Sequence, residues 1–149
     1  MAVYYPPVGF HFRVEFTLPG VDDGDTRFQE VSGLTSELGI EEVSEGGENR
    51  FVHRLPGRGK YSNLVLKRGL FVDSKLIDWC KDAIENFVFD PVTVNVTLLN
   101  DQHEPLADTY SFVNAWPVKW AVSDFKAQEN ALVIETLELV YNYFTRSKL

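Results

Sequence analysis

The stretch FHFRVEFTL, Phe10 to Leu18, alternates without a break. Phe10, Phe12, Val14, Phe16 and Leu18 are apolar, and His11, Arg13, Glu15 and Thr17 between them are polar. Successive side chains of a strand point to opposite faces, so this period of two predicts a strand with one dry face and one wet face. VTVNVTLL (Val92–Leu99) repeats the pattern, with Val92, Val94, Val96 and Leu98 on one parity and Thr93, Asn95 and Thr97 on the other. Such strands need neighbouring strands to pair with and a second layer over the dry side, which restricts the chain to sheet-based architectures.

Further strands follow at short intervals. After the turn PGVDDGD, TRFQEVSGL (Thr26–Leu34) reads as a second, shorter strand. GIEEVSEGGENRFVHRL carries Gly46-Gly47 between two arms and reads as a β-hairpin. YSNLVLKRG (Tyr61–Gly69) is another strand. TYSFVNAWPVKWAV (Thr109–Val122) places Tyr110, Phe112, Trp116, Val118, Trp120 and Val122 on one parity, with Pro117 marking a bend or an edge. ALVIETLELVYNYF (Ala131–Phe144) is apolar on both parities, as suits a strand between two layers or one buried by another subunit.

One segment breaks the rhythm. In DSKLIDWCKDAIENF, Leu76, Ile77, Cys80, Ala83, Ile84 and Phe87 fall on one helical face, with Trp79 off that stripe. Asp73 is the expected N-cap, Val72 the expected staple to Ile77, and Asp90-Pro91 the return to extended chain. The expected fold is mainly β: a small β-barrel or two packed antiparallel sheets, with one flanking α-helix and a projecting β-hairpin. The length of 149 residues fits a single domain spanning residues 1–149.

Composition narrows the function classes. A net charge of −8 argues against general nucleic-acid binding, which needs a basic balance or stripe. Cys80 is the one cysteine, so no intramolecular disulfide forms. The N-terminus MAVYYPPVGF has no basic n-region and no long apolar run, and no stretch approaches a membrane span. Synthesis and folding in the cytoplasm are the expectation. His11, His53 and His103 are far apart and lack a second ligand at metal-site spacing. Cys80 lies on the apolar helix face, the setting of an inert thiol. PGRGKYS (Pro56–Ser62) lacks the spacing of a phosphate loop, with Tyr61 where the hydroxyl ligand belongs. The Asn95-Val96-Thr97 sequon lies inside an expected strand of a chain with no expected signal. With no nucleophile, base and oxyanion set, the expectation is a non-enzyme without metal or cofactor.

The charges of the hairpin are asymmetric. Glu37, Glu41, Glu42, Glu45 and Glu48 occupy its first arm, and Arg50, His53, Arg54, Arg58, Lys60, Lys67 and Arg68 its second arm and the strand after it. Two readings fit. The arms pair with each other across the hairpin, or acidic and basic patches meet on neighbouring copies, which favours head-to-tail rings or filaments.

At RFQEVSGL, LPGRGKYSNLVLKRGL, LIDWCKDAIENF and NAWPVKWAVSDFKAQENALVIETLELVYNYF the chain resembles the inner tube proteins of contractile tails. That family includes contractile phage tail tubes and the tubes of extracellular contractile injection systems. The resemblance runs in order from about Phe10 to Phe144. It implies homo-hexameric rings stacked into a tube inside a contractile sheath, attached to a baseplate, with effector cargo in the lumen. Contraction would drive the tube through a target membrane. It further implies that Glu41, Glu42, Glu45, Gly46, Gly47, Glu48, Asn49 and Arg50 at the hairpin contact adjacent subunits and the next ring. The wet strand faces, His11, Arg13 and Glu15 or Thr93, Asn95 and Thr97, would line the lumen or a ring contact. The resemblance implies a phage-tail-like particle as the destination, with release outside the cell as one outcome. A tube paralogue at the baseplate, and in a different class a monomeric β-barrel ligand-binding module, are the alternative readings.

Overall fold

The computed structural model of the chain describes residues 12–21, 25–71, 73–99, 104–128 and 132–147. In chain order the elements are β1 (Phe12–Phe16), β2 (Glu30–Ser32), β3 (Ser36–Val43), β4 (His53–Tyr61), β5 (Leu64–Gly69), α1 (Lys75–Asn86), β6 (Val92–Leu99), β7 (Pro105–Val122), β8 (Ile134–Val140) and β9 (Tyr143–Ser147). The chain is therefore mainly β with one helix. It forms two compact units, Gly33–Ser62 in one and Met1–Ser32 with Asn63–Leu149 in the other.

The larger unit is built on β7. The N-terminal half of β7 pairs with β6 on one edge and β9 on the other, and its C-terminal half pairs with β8. The resulting antiparallel sheet has seven strands in the order β1-β6-β7-β8-β5-β2, with β9 alongside β7. It curls into a half-barrel. Two bulges in β7 mark the change of partner. Val92 opposes Ala115 but Val94 opposes Phe112, and Pro117 opposes Leu139 but Lys119 opposes Glu138. Asn114, in the first bulge, takes φ 55°, a left-handed conformation that Asn tolerates. These extra residues break the expected parity of β7: Phe112, Ala115 and Pro117 are buried, and Val118 is exposed. Pro117 is accommodated because the pairing with β6 ends at Ala115, leaving one edge of β7 free of that ladder.

Smaller departures from the expected strands accompany these bulges. A register shift between Thr97 and Leu99 turns Leu99 inward in place of Leu98. The second strand shrinks to β2. The long C-terminal strand splits at Tyr141-Asn142, where the Asn142 amide donates to the Val113 carbonyl at 2.9 Å. In β8 the buried parity is Glu135, Leu137 and Leu139, and the other parity is half-buried.

The helix begins one residue later than expected. Asp73 sits at φ 61°, and Ser74 is the N-cap, its Oγ accepting from the Ile77 amide at 3.2 Å. Val72 lies outside the described residues. The buried stripe is Leu76, Trp79, Cys80 and Ala83, so the face is rotated from the expected one. Trp79 belongs to the core: its ring meets Phe16 edge-on at 6.0 Å, and Nε1 donates to the Asp90 carbonyl at 2.9 Å. Ile84 and Phe87, expected inside, are exposed. Phe87 is the C-cap at φ 55°, and the Val88 amide donates to the Asp82 carbonyl. A left-handed conformation at a bulky residue costs about 1–2 kcal/mol relative to glycine.

Beneath the helix start lies a buried ionic cluster. Arg68 of β5 donates from Nε to Glu135 of β8 at 2.7 Å and from Nη1 to the Asp25 carboxylate at 2.9 Å. Its Nη2 reaches Ser74 Oγ at 2.9 Å. Asp25 in turn accepts from the Lys75 and Leu76 amides at 2.8 and 3.1 Å, and from the Ser74 hydroxyl. Trp120 Nε1 donates to Glu135 at 2.8 Å. Among the described residues no buried side-chain polar atom lacks a partner. Burial pushes the Asp25 carboxyl up, but the hydrogen bonds from Ser74, Arg68 and the Leu76 amide, with the Arg68 charge, outweigh it and hold its pKa below the usual carboxylate value.

The smaller unit is the β3–β4 hairpin. The Glu48 amide donates to the Glu45 carbonyl at 3.2 Å, closing a turn over Gly46-Gly47 in which Gly47 has φ 92°. A bulge between Leu38 and Ile40 brings the backbones together at Gly39 and Gly57. A Cβ on Gly57 would lie 3.0 Å from the Gly39 carbonyl oxygen.

Three outcomes are expected. Arg68→Met strands two buried carboxylates and lowers the unfolding free energy by about 3–5 kcal/mol, read as a fall in the urea midpoint. Asp25 has a folded pKa below its unfolded one, so its contribution to stability is complete above the unfolded value of about 3.9 and is lost as pH falls through the folded value. Asp25→Asn therefore flattens the acid limb of a stability–pH curve below about pH 4. Gly57→Ala speeds amide hydrogen exchange across β3 and β4 and leaves exchange in β6 to β8 unchanged.

Candidate functional site

The wet strand faces are brought together. In the β1–β6 register Arg13 opposes Thr97 and Glu15 opposes Asn95. The β6–β7 register then places Thr109 opposite Thr97 and Ser111 opposite Asn95. The β7–β9 register completes two polar rows with Ser147 beside Thr109 and Thr145 beside Ser111. Each row thus crosses four strands on one face. Thr97 and Thr109 hydroxyls hydrogen-bond at 3.1 Å, and Ser111 Oγ donates to Asn95 Oδ1 at 2.7 Å. The Arg13 and Glu15 charges meet at 2.6 Å, so the face is close to locally neutral. Thr93 lies on the same parity of β6, and its amide donates to Thr17 Oγ1 at 2.9 Å. His11 lies outside the described residues. Thr109, Ser111, Thr145 and Ser147 escaped sequence reasoning. Alternation marks such residues as outward-facing but does not say which strand lies beside which.

The hairpin residues divide by position. Glu41 and Glu42 are in β3, opposite Leu55 and Arg54. Glu45, Gly46, Gly47, Glu48, Asn49 and Arg50 form the tip. Its polar contacts are local: Arg50 Nε and Glu48 form an ion pair at 3.2 Å, and His53 Nε2 hydrogen-bonds with Glu45 at 2.8 Å. The Arg50 side chain and amide both donate to Glu48 and hold its carboxyl below the usual value. Glu37 opposes Lys60 and Glu42 opposes Arg54 in register, yet neither pair closes to an ion pair. Pairing within the hairpin thus accounts for the tip and leaves the charges of the arms open. Two of the basic residues following the hairpin have other partners: Lys67 approaches Glu30 at 3.9 Å, and Arg68 is buried in the ionic cluster. The strand alternation carried that signal, because Arg68 shares the parity of Leu64 and Leu66.

Nothing in the described residues assembles a reaction centre. No group of His, Cys, Asp and Glu there has metal-site geometry. Burial, with the Glu135 charge, pushes the Cys80 thiol up to about 12, so it stays protonated and unreactive. Among the described residues no helix is long and apolar enough to cross a membrane. What remains is a set of surfaces: a polar four-strand face, sheet ends whose outer edges are unpaired among the described residues, and a hairpin.

Comparison with known proteins places these surfaces in context. Residues 8–145 match the family described as T4-like virus tail tube protein gp19. Among solved structures, a chain of the anti-feeding prophage baseplate is 30% identical over 97% of each chain, with a TM-score of 0.87. A chain of the PVC sheath/tube terminator, from an extracellular contractile injection system in its extended state, is 25% identical. The match covers 98% of this chain and 99% of that one, with a TM-score of 0.81. A chain of the PVC sheath-tube complex shares the fold at 24% identity and a TM-score of 0.82, covering 99% of this chain and 95% of that one. No curated protein matches the sequence significantly. A match over nearly the whole length, carried by the same fold in components of contractile injection systems, means that the chain belongs to the T4-like tail tube protein family.

Proposed function

We propose that the chain is a structural, non-catalytic subunit of the inner tube of a contractile injection apparatus. Six copies form a ring, rings stack around a central channel, and contraction of a surrounding sheath drives the tube through a target membrane. The observation that carries this reading is the half-barrel whose terminal strands, β1 and β2, each pair on one edge only among the described residues. Open edges invite pairing with another chain, and closure in a ring of identical copies removes them. In this reading residues 1–149 act as one tube domain despite their two compact units. The polar face of Arg13, Glu15, Thr93 and Asn95, with Thr97 buried within its row, lines the lumen, where a hydroxyl-rich, nearly neutral lining lets effector cargo pass without gripping it. Glu41, Glu42, Glu45, Glu48, Asn49 and Arg50 meet the adjacent subunit and the next ring.

The partners are further copies of the chain, sheath and baseplate proteins, and cargo. The working location is a phage-tail-like particle, released from the cell in the extracellular case. The 30% identity to a chain of a baseplate structure supports a second reading, a tube paralogue joining tube to baseplate. Copy number separates the two, many per particle for the main tube and few for the paralogue.

Negative-stain electron microscopy of the purified protein is expected to show rings or tubes of constant diameter. A sharp monomer from micromolar to high concentration overturns the tube reading in favour of a monomeric binding module. Arg50→Glu is expected to weaken ring stacking while leaving circular dichroism native, because exposed charge changes shift folding stability by only about 0.5 kcal/mol. Undiminished stacking rejects that role for Arg50.

A further inference from the structure

Phe87 combines two unfavourable features. It holds the left-handed conformation that glycine usually supplies at a helix end, and 81% of its surface is exposed. Core packing within the larger unit explains neither. Strain retained at a fixed position points to function there. The Phe87 ring stacks edge-on against Phe89 at 4.7 Å, and Phe89 stacks edge-on against Trp116 at 5.3 Å. An aromatic row therefore runs from the helix end to β7. Ile84 and Val88 beside it are also exposed, and the exposed carboxylates of Asp82, Glu85 and Asp90 flank it in sequence.

The hairpin supplies a matching surface. Leu38 and Ile40 are two apart on β3 and share a face, 67% and 65% exposed. Pairing adds Pro56 opposite Ile40 and Tyr61 opposite Ser36 to that face, with Arg54 two residues from Pro56. A two-stranded hairpin cannot order so much exposed apolar surface by itself.

The geometry points to one occupant for the Phe87 patch: the Leu38–Ile40 face of the hairpin of a second copy, with Phe87 as anchor and Arg54 directed at the carboxylates around it. This rests on the tube reading, which brings copies side by side, and adds the receiving surface. A patch complementary to a different patch on the same molecule makes a head-to-tail contact, the kind that closes into rings. Phe87 then trades helix-end stability for assembly.

Two measurements decide it. Phe87→Gly relieves the backbone strain, so its thermal midpoint is expected to equal or exceed that of the wild-type protein, while ring or tube formation falls at least tenfold. In parallel, Asn86→Cys and Ser36→Cys, exposed positions that leave Phe87, Leu38 and Ile40 in place, are purified separately, mixed under assembly conditions and treated with a short bifunctional maleimide. Only a contact between different molecules can link the two variants, and Cys80 is buried. The expected product is a mixed dimer far more abundant than in either variant alone. Rings by both wild type and Phe87→Gly without mixed cross-linking overturn this inference and leave the tube reading standing. No rings and no cross-link overturn both. Normal Phe87→Gly rings that fail to bind a sheath protein assign the patch to the sheath and overturn the inference.

Discussion

A guanidinium that is only 3% exposed is tolerable while its charge and its N–H donors are met, and Arg68 meets both through partners from separate parts of the chain. Asp25 comes from the loop before β2, Ser74 from the helix start and Glu135 from β8. The aromatic rings of Phe28 and Phe71 each lie 5.2 Å from the guanidinium carbon. One side chain therefore ties two strands, a loop and the helix cap to a common point. The charge balance also fits. Two carboxylates face one guanidinium, and the excess negative charge sits where α1 begins, with Asp25 accepting the Lys75 and Leu76 amides. A helix N-terminus carries the equivalent of roughly half a positive charge, so it supplies about half of what the cation lacks. The cluster makes the helix position a consequence of the β5–β8 register, in which Arg68 stands opposite Glu135.

A second constraint acts through β7. Its bulges, at Asn114 and beyond Pro117, let one continuous strand serve β6 and β9 first and β8 afterwards. Without extra residues the strand would carry a single face inward along its whole length. With them, Phe112 and Pro117, of opposite parity, are both buried. The same break ends the β6 ladder at Ala115, and among the described residues the terminal strands β1 and β2 each pair on one edge only, which leaves edges for other copies in the tube reading.

The period-two segments around Val14 and Val94 were legible because alternation is local, and the Gly46-Gly47 turn was legible because Gly47 needs φ 92°. Register was not. Whether Leu98 or Leu99 points inward depends on a bulge against β7, and Trp79 joined the core because Phe16 and the Asp90 carbonyl reach it from other elements. Of the candidate site, the polar residues of β1 and β6 were legible, while their continuation onto Thr109, Ser111, Thr145 and Ser147 required strand order. Alternation puts Arg68 on the buried parity of β5, but its carboxylate partners lie 43 and 67 positions away and were not legible locally.

Most of the larger unit obeys local rules: alternation, a capped helix, satisfied polar groups. Natural sequences are consistent across such levels, and their exceptions concentrate where function is exerted. Two of the exceptions, besides the exposed Phe125 and Leu132, are the strained, exposed Phe87 and the exposed apolar face of the hairpin. Neither is accounted for within its own unit, and the two are chemically complementary. A chain selected for its own stability would place glycine after Asn86 and polar residues at Leu38 and Ile40. A chain selected to polymerise would keep these local costs small beside the gain from each contact and repeat that contact around a ring. In the tube reading proposed above, these departures from single-chain logic follow, because there the assembled polymer is the state that the sequence encodes.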